Sequence, residues 1–284
     1  MAQLLTHSLA VDNFLRTHKV IHALPESSVQ LIQAVGDPDC DSGRLLKLIE
    51  KDPALAGTIM KSVNSAFYSL PVKMTRLDRA VAYLGLQTTK ELAVASSISK
   101  MVKWISFGKY KARDLWDHSI AVAITSRELA VKSRKMDGEE AFLLGILHDI
   151  GLLLAAQSEP EFGEKLLTSA EANESSFAKL EQRIFGMLHG ELGGALAMNW
   201  GFQESHAAAI QFHHTPELAP EEFSQFSHHL YVADTIVCGT HIGCPLTGKG
   251  QPLEQVHLDA AGVSQEMVEA VTNRLPILAR LYLS

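Results

Sequence analysis

Cysteine is scarce. Cys40, Cys238 and Cys244 are the three in 284 residues, too few for a disulfide framework and unable all to pair within one chain, so a reducing, cytoplasmic setting is expected. Long apolar runs are missing as well. The longest, residues 141–156, falls short of the roughly 20 residues that cross a bilayer and carries His148 and Asp149 near its middle, so no membrane segment is expected. Asp12, Asn13, Arg16 and Lys19 interrupt the N-terminal stretch early, which argues against a signal peptide. Positive charge is in short supply: the formal net charge is −7 and the pI about 6.0. The only basic clusters, Lys109, Lys111 and Arg113, then Lys132, Arg134 and Lys135, are short and read as solvated loops. No nucleic-acid partner is expected from them. Strand-like alternation is almost absent, and no internal repeat or low-complexity tract is evident.

What remains is an ordinary globular composition, 46% apolar and 20% charged, with apolar residues recurring at three and four nearly everywhere. The fold class expected is all-α. Asp52 followed by Pro53 reads as an N-cap with proline in the first helical position, and Leu55, Ile59 and Val63 continue one stripe. Leu77, Val81 and Leu84 form another stripe that stops at Gly85, after which Thr88 and Glu91 offer a capping box. Asn64 reads as a side-chain cap. The stretch around 107–113 is the most linker-like. It divides the chain into an N-terminal helical half, 1–112, and a second half, 113–284.

The second half places titratable residues inside its most apolar segments. The run from Phe142 to Leu154 buries His148 and Asp149 in what reads as one continuous helix. An unpaired buried carboxylate is costly, and either a hydrogen-bonded His–Asp pair or metal coordination would compensate it. Asp234 interrupts the apolar run 230–237, and His118 leads into the apolar run 120–124. His189 opens a helix carrying Leu192, Ala195 and Leu196, and His213 and His214 close the one before Pro216. Helices of a bundle can project such a series into one interior site, and imidazoles with carboxylates suit zinc, iron, manganese or nickel. Asp149 is the natural carboxylate to bridge two ions. Other polar residues carry blander readings: His206 as helix surface, His228 and His229 as a polar helix start, and Cys238 to Cys244 as buried thiols rather than a zinc motif.

The order of these motifs resembles the HD superfamily of metal-dependent phosphohydrolases and, more closely, the HDOD family. The N-terminal half matches through Leu24-Pro25, Asp52-Pro53-Ala54-Leu55, Asn64-Ser65-Ala66 and Ala80-Val81-Ala82-Tyr83-Leu84-Gly85. The second half matches through Trp116-Asp117-His118-Ser119, Gly145-Ile146-Leu147-His148-Asp149-Ile150-Gly151, Glu181, His189-Gly190-Glu191-Leu192-Gly193, Trp200-Gly201 and His213-His214, with Asp234 as the closing aspartate. The resemblance implies a helical N-terminal subdomain packed on an HD-like bundle, with a mono- or dinuclear metal held by His118, His148, Asp149, His189, His213, His214 and Asp234. It implies phosphohydrolase chemistry on a phosphate ester, with Asp149 and His148 as catalytic residues and a nucleotide or phosphodiester as the ligand. The same family implies the alternative of a catalytically silent regulatory module that binds a signalling protein. Two departures from the HD-GYP phosphodiesterases, Leu152 where those carry lysine and the lack of a GYP motif, argue against cyclic di-GMP hydrolysis. A pair of irons carrying out oxidation is a third option for such ligands.

Overall fold

A computed structural model describes residues 8–18, 30–31, 33–34, 37, 39–64, 68, 70–102, 106–107, 110–159, 161, 164–166, 169, 177–240, 242–243, 246–248 and 250–283. Among the described residues the regular structure is helical apart from a short antiparallel ladder that pairs Ser106 with Lys111 and Phe107 with Tyr110. The chain forms two compact units, one of residues 22–101 and one of residues 1–21 with 102–284. The first helix, α1 (Leu9–His18), therefore belongs with the C-terminal residues rather than with the N-terminal half in which the sequence placed it. There His18 pairs with Glu159 at 3.3 Å, and the helix buries Val11, Phe14 and Leu15.

In the smaller unit, helix α2 (Ser42–Glu50) is capped by Asp41, whose carboxylate accepts the Arg44 amide at 2.7 Å. Helix α3 (Pro53–Val63) starts at the expected proline, and Asp52 Oδ1 accepts the Ala54 and Leu55 amides at 3.1 Å each. Leu55, Ile59 and Val63 are buried with Leu45, Ile49, Ala80 and Val81 in one core, each large aliphatic contributing about 1.5–3 kcal/mol of burial. Asn64 caps α3 through its side chain, donating to the Met60 and Met74 carbonyls at 2.9 Å and accepting the Met74 amide at 2.7 Å. Helix α4 (Leu77–Val102) is broken at Gly85, whose φ of 81° and ψ of 166° are open to glycine. Thr89 donates its hydroxyl to the Gly85 carbonyl at 2.7 Å across that break. The Glu91 side chain of the expected capping box lies outside the described residues.

The larger unit is a bundle around α5 (Ala112–Ser133), which packs against α6 (Gly138–Leu147), α11 (Ser224–Cys238) and α13 (Gln265–Leu283). A second set joins α7 (Ile150–Ser158), α9 (His189–Asn199) and α10 (Glu204–Gln211), with α8 (Phe177–Phe185) before them and α12 (Gln255–Ala261) against α11. Residues 138–158 are apolar enough to span a membrane by length and composition, yet residues 141–156 within them are buried throughout. They do not form the single helix that their periodicity suggests. His148 and Asp149 occupy a turn between α6 and α7, because a stretch apolar on every side carries no periodic sign of where it bends.

Candidate metal centre

Each element of the larger unit delivers its polar side chain from a fixed backbone position. His118 projects from the first turns of α5, His148 and Asp149 from the α6–α7 turn, and His189 from the first position of α9. His213 and His214 follow the end of α10, and Asp234 lies midway along α11. The helices come together closely where these residues meet. A Cβ on Gly151 would stand 2.0 Å from the His189 carbonyl, so the bare α-carbon is what lets α7 and α9 bring Asp149 and His189 into contact.

The seven residues form one buried cluster. His118, His148, His213 and Asp234 are fully buried, Asp149 is 3% exposed and His189 is 4% exposed. Asp149 stands at the centre. One of its oxygens lies 3.2 Å from His189 Nε2 and 3.7 Å from His213 Nε2, and the other lies 3.2 Å from His148 Nε2 and 3.9 Å from His118 Nε2. Asp234 faces His118 Nε2 at 3.0 Å, His148 Nε2 at 4.0 Å and His214 Nδ1 at 3.8 Å. Two sets of ligand atoms share Asp149, each lying within 4.8 Å of one another: Asp149, His189, His213 and His214, then His118, His148 and Asp149.

The outer contacts set the tautomers. His148 donates from Nδ1 to the Gly145 carbonyl at 2.8 Å, and His213 from Nδ1 to the Ile210 carbonyl at 2.7 Å. His189 Nδ1 lies against both oxygens of buried Glu181, at 2.9 and 2.8 Å. Each ring thereby presents Nε2 to the interior, the arrangement by which carboxylates and carbonyls orient metal-binding histidines. Inside, His189 Nε2 faces His213 Nε2 at 3.3 Å and His214 Nε2 at 3.2 Å. Facing lone pairs repel unless a proton or cation lies between them. Both ring nitrogens of His118, Nε2 of His148, Oδ1 of Asp149 and Oδ2 of Asp234 are buried without a hydrogen-bond partner among the described residues. An ion placed among these orphaned buried polar atoms would satisfy them together. The donor set of imidazoles and carboxylates fits a transition metal.

Titration shifts describe the same field. Burial works against charge on His189, yet the carboxylates of Glu181 and Asp149 outweigh it and raise its pKa to about 10. Burial likewise opposes ionisation of Asp149 and Asp234, but the surrounding imidazoles hold Asp149 well below the usual carboxylate range and lower Asp234 too. Burial depresses His213, and it drives His214 well down with help from His213 and His189.

Residues without a site role in the sequence reading complete the surroundings. Glu181, on α8, orients His189. Thr247 donates its hydroxyl to Asp149 Oδ2 at 3.4 Å, and the Gln251 amide lies 2.6 Å from His214 Nδ1. Cys238 donates from its thiol to Asp234 Oδ1 at 3.4 Å, and burial with the nearby carboxylate pushes that thiol far above its ordinary pKa. His241 and Cys244 lie outside the described residues. His206 is a correction: it is 6% exposed rather than on the surface, because α10 turns it toward α6, where its Nε2 meets Glu140 at 2.8 Å. His228 and His229 are buried as well, and His229 Nε2 donates to the Ser126 carbonyl at 2.9 Å. Lys179 and Arg183 are exposed, and the Lys111 side chain lies outside the described residues.

The model of the HDOD domain matches residues 21–216. The chain belongs to the HDOD family. The match stops short of Asp234, Cys238, Thr247 and Gln251, all of which reach the same cluster. Among solved structures, an HDOD domain protein of Geobacter sulfurreducens superposes with a TM-score of 0.80 at 20% identity, covering 96% of each chain. A protein of Shewanella amazonensis named as a candidate phosphohydrolase superposes with a TM-score of 0.76 at 26% identity, covering 98% of this HDOD chain and 97% of its own. Among curated proteins, this chain is 29% identical over 136 residues to the cyclic di-GMP phosphodiesterase CdgJ of Vibrio cholerae, covering 46% of this chain and 29% of that one. An uncharacterized protein of Treponema pallidum is 27% identical over 209 residues, covering 72% of this chain. The HDOD chain thus spans 39% and 29% of the lengths of these two relatives.

Proposed function

We propose that this HDOD chain is a bacterial signalling protein whose larger unit is a metal-dependent phosphohydrolase acting on a phosphate ester, of the nucleotide or phosphodiester class. The observation that supports this most is the sharing of Asp149 between two sets of inward-facing ligand atoms, of which His118 Nε2, His148 Nε2 and Asp149 Oδ1 have no hydrogen-bond partner among the described residues. His189, His213 and His214 with Asp149 would hold one ion, and His118, His148 and Asp149, with Asp234 beside them, a second. Bound there, iron, manganese, nickel or zinc supplies Lewis acidity and an activated water. The chain's own residues fix the geometry. Glu181 and the Gly145 and Ile210 carbonyls keep three Nε2 atoms aimed inward, and Thr247 holds Asp149 Oδ2. The likeness to a protein named as a candidate phosphohydrolase and to a cyclic di-GMP phosphodiesterase supports the reaction class. Cyclic di-GMP itself fits less well, because buried Leu152 stands where HD-GYP enzymes carry lysine.

A second reading, a regulatory module that binds a signalling partner around a silent metal site, is favoured by the burial of the ligands. His214, the most open of them, has a side chain only 14% exposed. Elemental analysis of untagged native protein against a His148→Ala, Asp149→Ala pair tests the metal, and a panel of nucleotides and phosphodiesters tests hydrolysis. Metal that disappears in the variant, with turnover that disappears beside it, is the expected result. Metal without turnover selects the regulatory reading, and a native protein metal-free after reconstitution overturns the phosphohydrolase.

A further inference from the structure

We propose that Cys238 is a thiolate ligand of this centre, at the end formed by His118 and Asp234. The inference rests on the reading that the cluster holds a transition metal, and it adds a soft ligand to a set otherwise made of imidazoles and carboxylates. Asp234 and Cys238 are four residues apart on α11, so both side chains leave the same face of the helix. A nitrogen of His118, an oxygen of Asp234 and Sγ of Cys238 all lie within 4.8 Å of one another. The separations from Asp234 Oδ1 are 3.0 Å to His118 Nε2 and 3.4 Å to Cys238 Sγ. Ligand atoms around a tetrahedral zinc, with bonds of about 2.0–2.1 Å to nitrogen and 2.3 Å to sulfur, stand about 3.3–3.6 Å apart.

Independent observations point into the same space. His118 is fully buried, its Nδ1 has no hydrogen-bond partner and its Nε2 makes no aligned hydrogen bond although it stands 3.0 Å from Asp234 Oδ1, and Asp234 Oδ2 is buried and unpartnered among the described residues. The backbone makes room for the sulfur. A Cβ on Gly248 would stand 2.8 Å from Cys238 Sγ and 2.6 Å from Asp234 Oδ2. On binding, the thiol gives up its proton to solvent and the sulfur lone pair forms the metal bond. Sulfur at one end favours zinc, iron, cobalt or nickel over magnesium, calcium or manganese.

The test uses the full chain, stripped with a chelator and reloaded with cobalt(II). A thiolate-to-cobalt charge-transfer band in the near ultraviolet is expected in the native protein and in a Cys40→Ala, Cys244→Ala variant, and its loss is expected in Cys238→Ala. X-ray absorption on zinc-loaded native protein needs no substitution and is expected to show a sulfur scatterer at about 2.3 Å. Cobalt bound in full without the band, or a zinc shell of nitrogen and oxygen alone, overturns the thiolate and leaves the metal site standing. Failure to take up either metal overturns both.

Discussion

Glu181 is the residue whose removal separates a designed metal site from a chance cluster of histidines. It is 1% exposed and receives the Nδ1 proton of His189 on both oxygens, at 2.8 and 2.9 Å. Replacement by glutamine keeps the volume and removes the charge. Two effects then act in opposite directions. Loss of an outer carboxylate typically weakens metal binding 10–100-fold, about 1.4–2.7 kcal/mol. The same loss lowers the His189 pKa, which the carboxylates of Glu181 and Asp149 raise against burial to about 10, and so relieves proton competition for Nε2. The sign follows from linkage: a group protonated in the metal-free protein must lose its proton before binding, so affinity climbs with pH until the pKa is passed. Native protein is expected to bind zinc about tenfold more tightly per pH unit from 7 to 9, in competition with a chromophoric chelator. Glu181→Gln is expected to give a flatter line that crosses the native one, with the weaker site showing at the alkaline end. Parallel lines for the two proteins, or a native affinity independent of pH over that range, would show that Glu181 and His189 do not form a metal-orienting pair.

Three further outcomes follow from the packing. Gly151→Ala forces a Cβ to within 2.0 Å of the His189 carbonyl; backbone cannot yield as a side chain does, so a loss above the usual 1–3 kcal/mol of overpacking is expected, and an unchanged melting temperature would refute the crossing. Asp52→Ala removes the acceptor of two amides at 3.1 Å and should cost the smaller unit about 1 kcal/mol in urea unfolding, whereas Asp52→Asn retains most of it. Gly85→Ala places a side chain at a φ of 81° and a ψ of 166°, with an expected cost of about 1–3 kcal/mol; no measurable loss would mean that the break in α4 straightens.

How much of this was legible in the sequence depended on whether a residue contradicts its neighbours. Asp52-Pro53 and Gly85 announced themselves because caps and breaks use particular residues for particular reasons, and the helix start and the kink lie where they say. His118, His148, Asp149, His189 and Asp234 were readable because each is a titratable group in an apolar surrounding, and the structure brings all of them within one cluster with His213 and His214. Glu181 was harder. It lies on an amphipathic helix where a carboxylate looks like ordinary solvated charge, and only the fold shows that it is buried against His189. His206 misled for the converse reason, since serine and alanine neighbours say nothing of the carboxylate from α6 that meets it.

The turn at His148-Asp149 carries the larger lesson. Apolar residues surround it on both sides, so periodicity sees one helix, whereas the chain bends there and leaves Asp149 as an N-cap whose side chain makes no capping bond. A carboxylate at a helix N-terminus ordinarily satisfies the free amides of the first turn. Asp149 forgoes them, and its oxygens meet the Nε2 atoms of His118, His148, His189 and His213 at 3.2 to 3.9 Å instead. A fold seeking stability alone would turn that carboxylate back onto its own helix. Holding it forward, among imidazoles of which His148, His189 and His213 already have Nδ1 engaged, makes sense when a cation completes the arrangement.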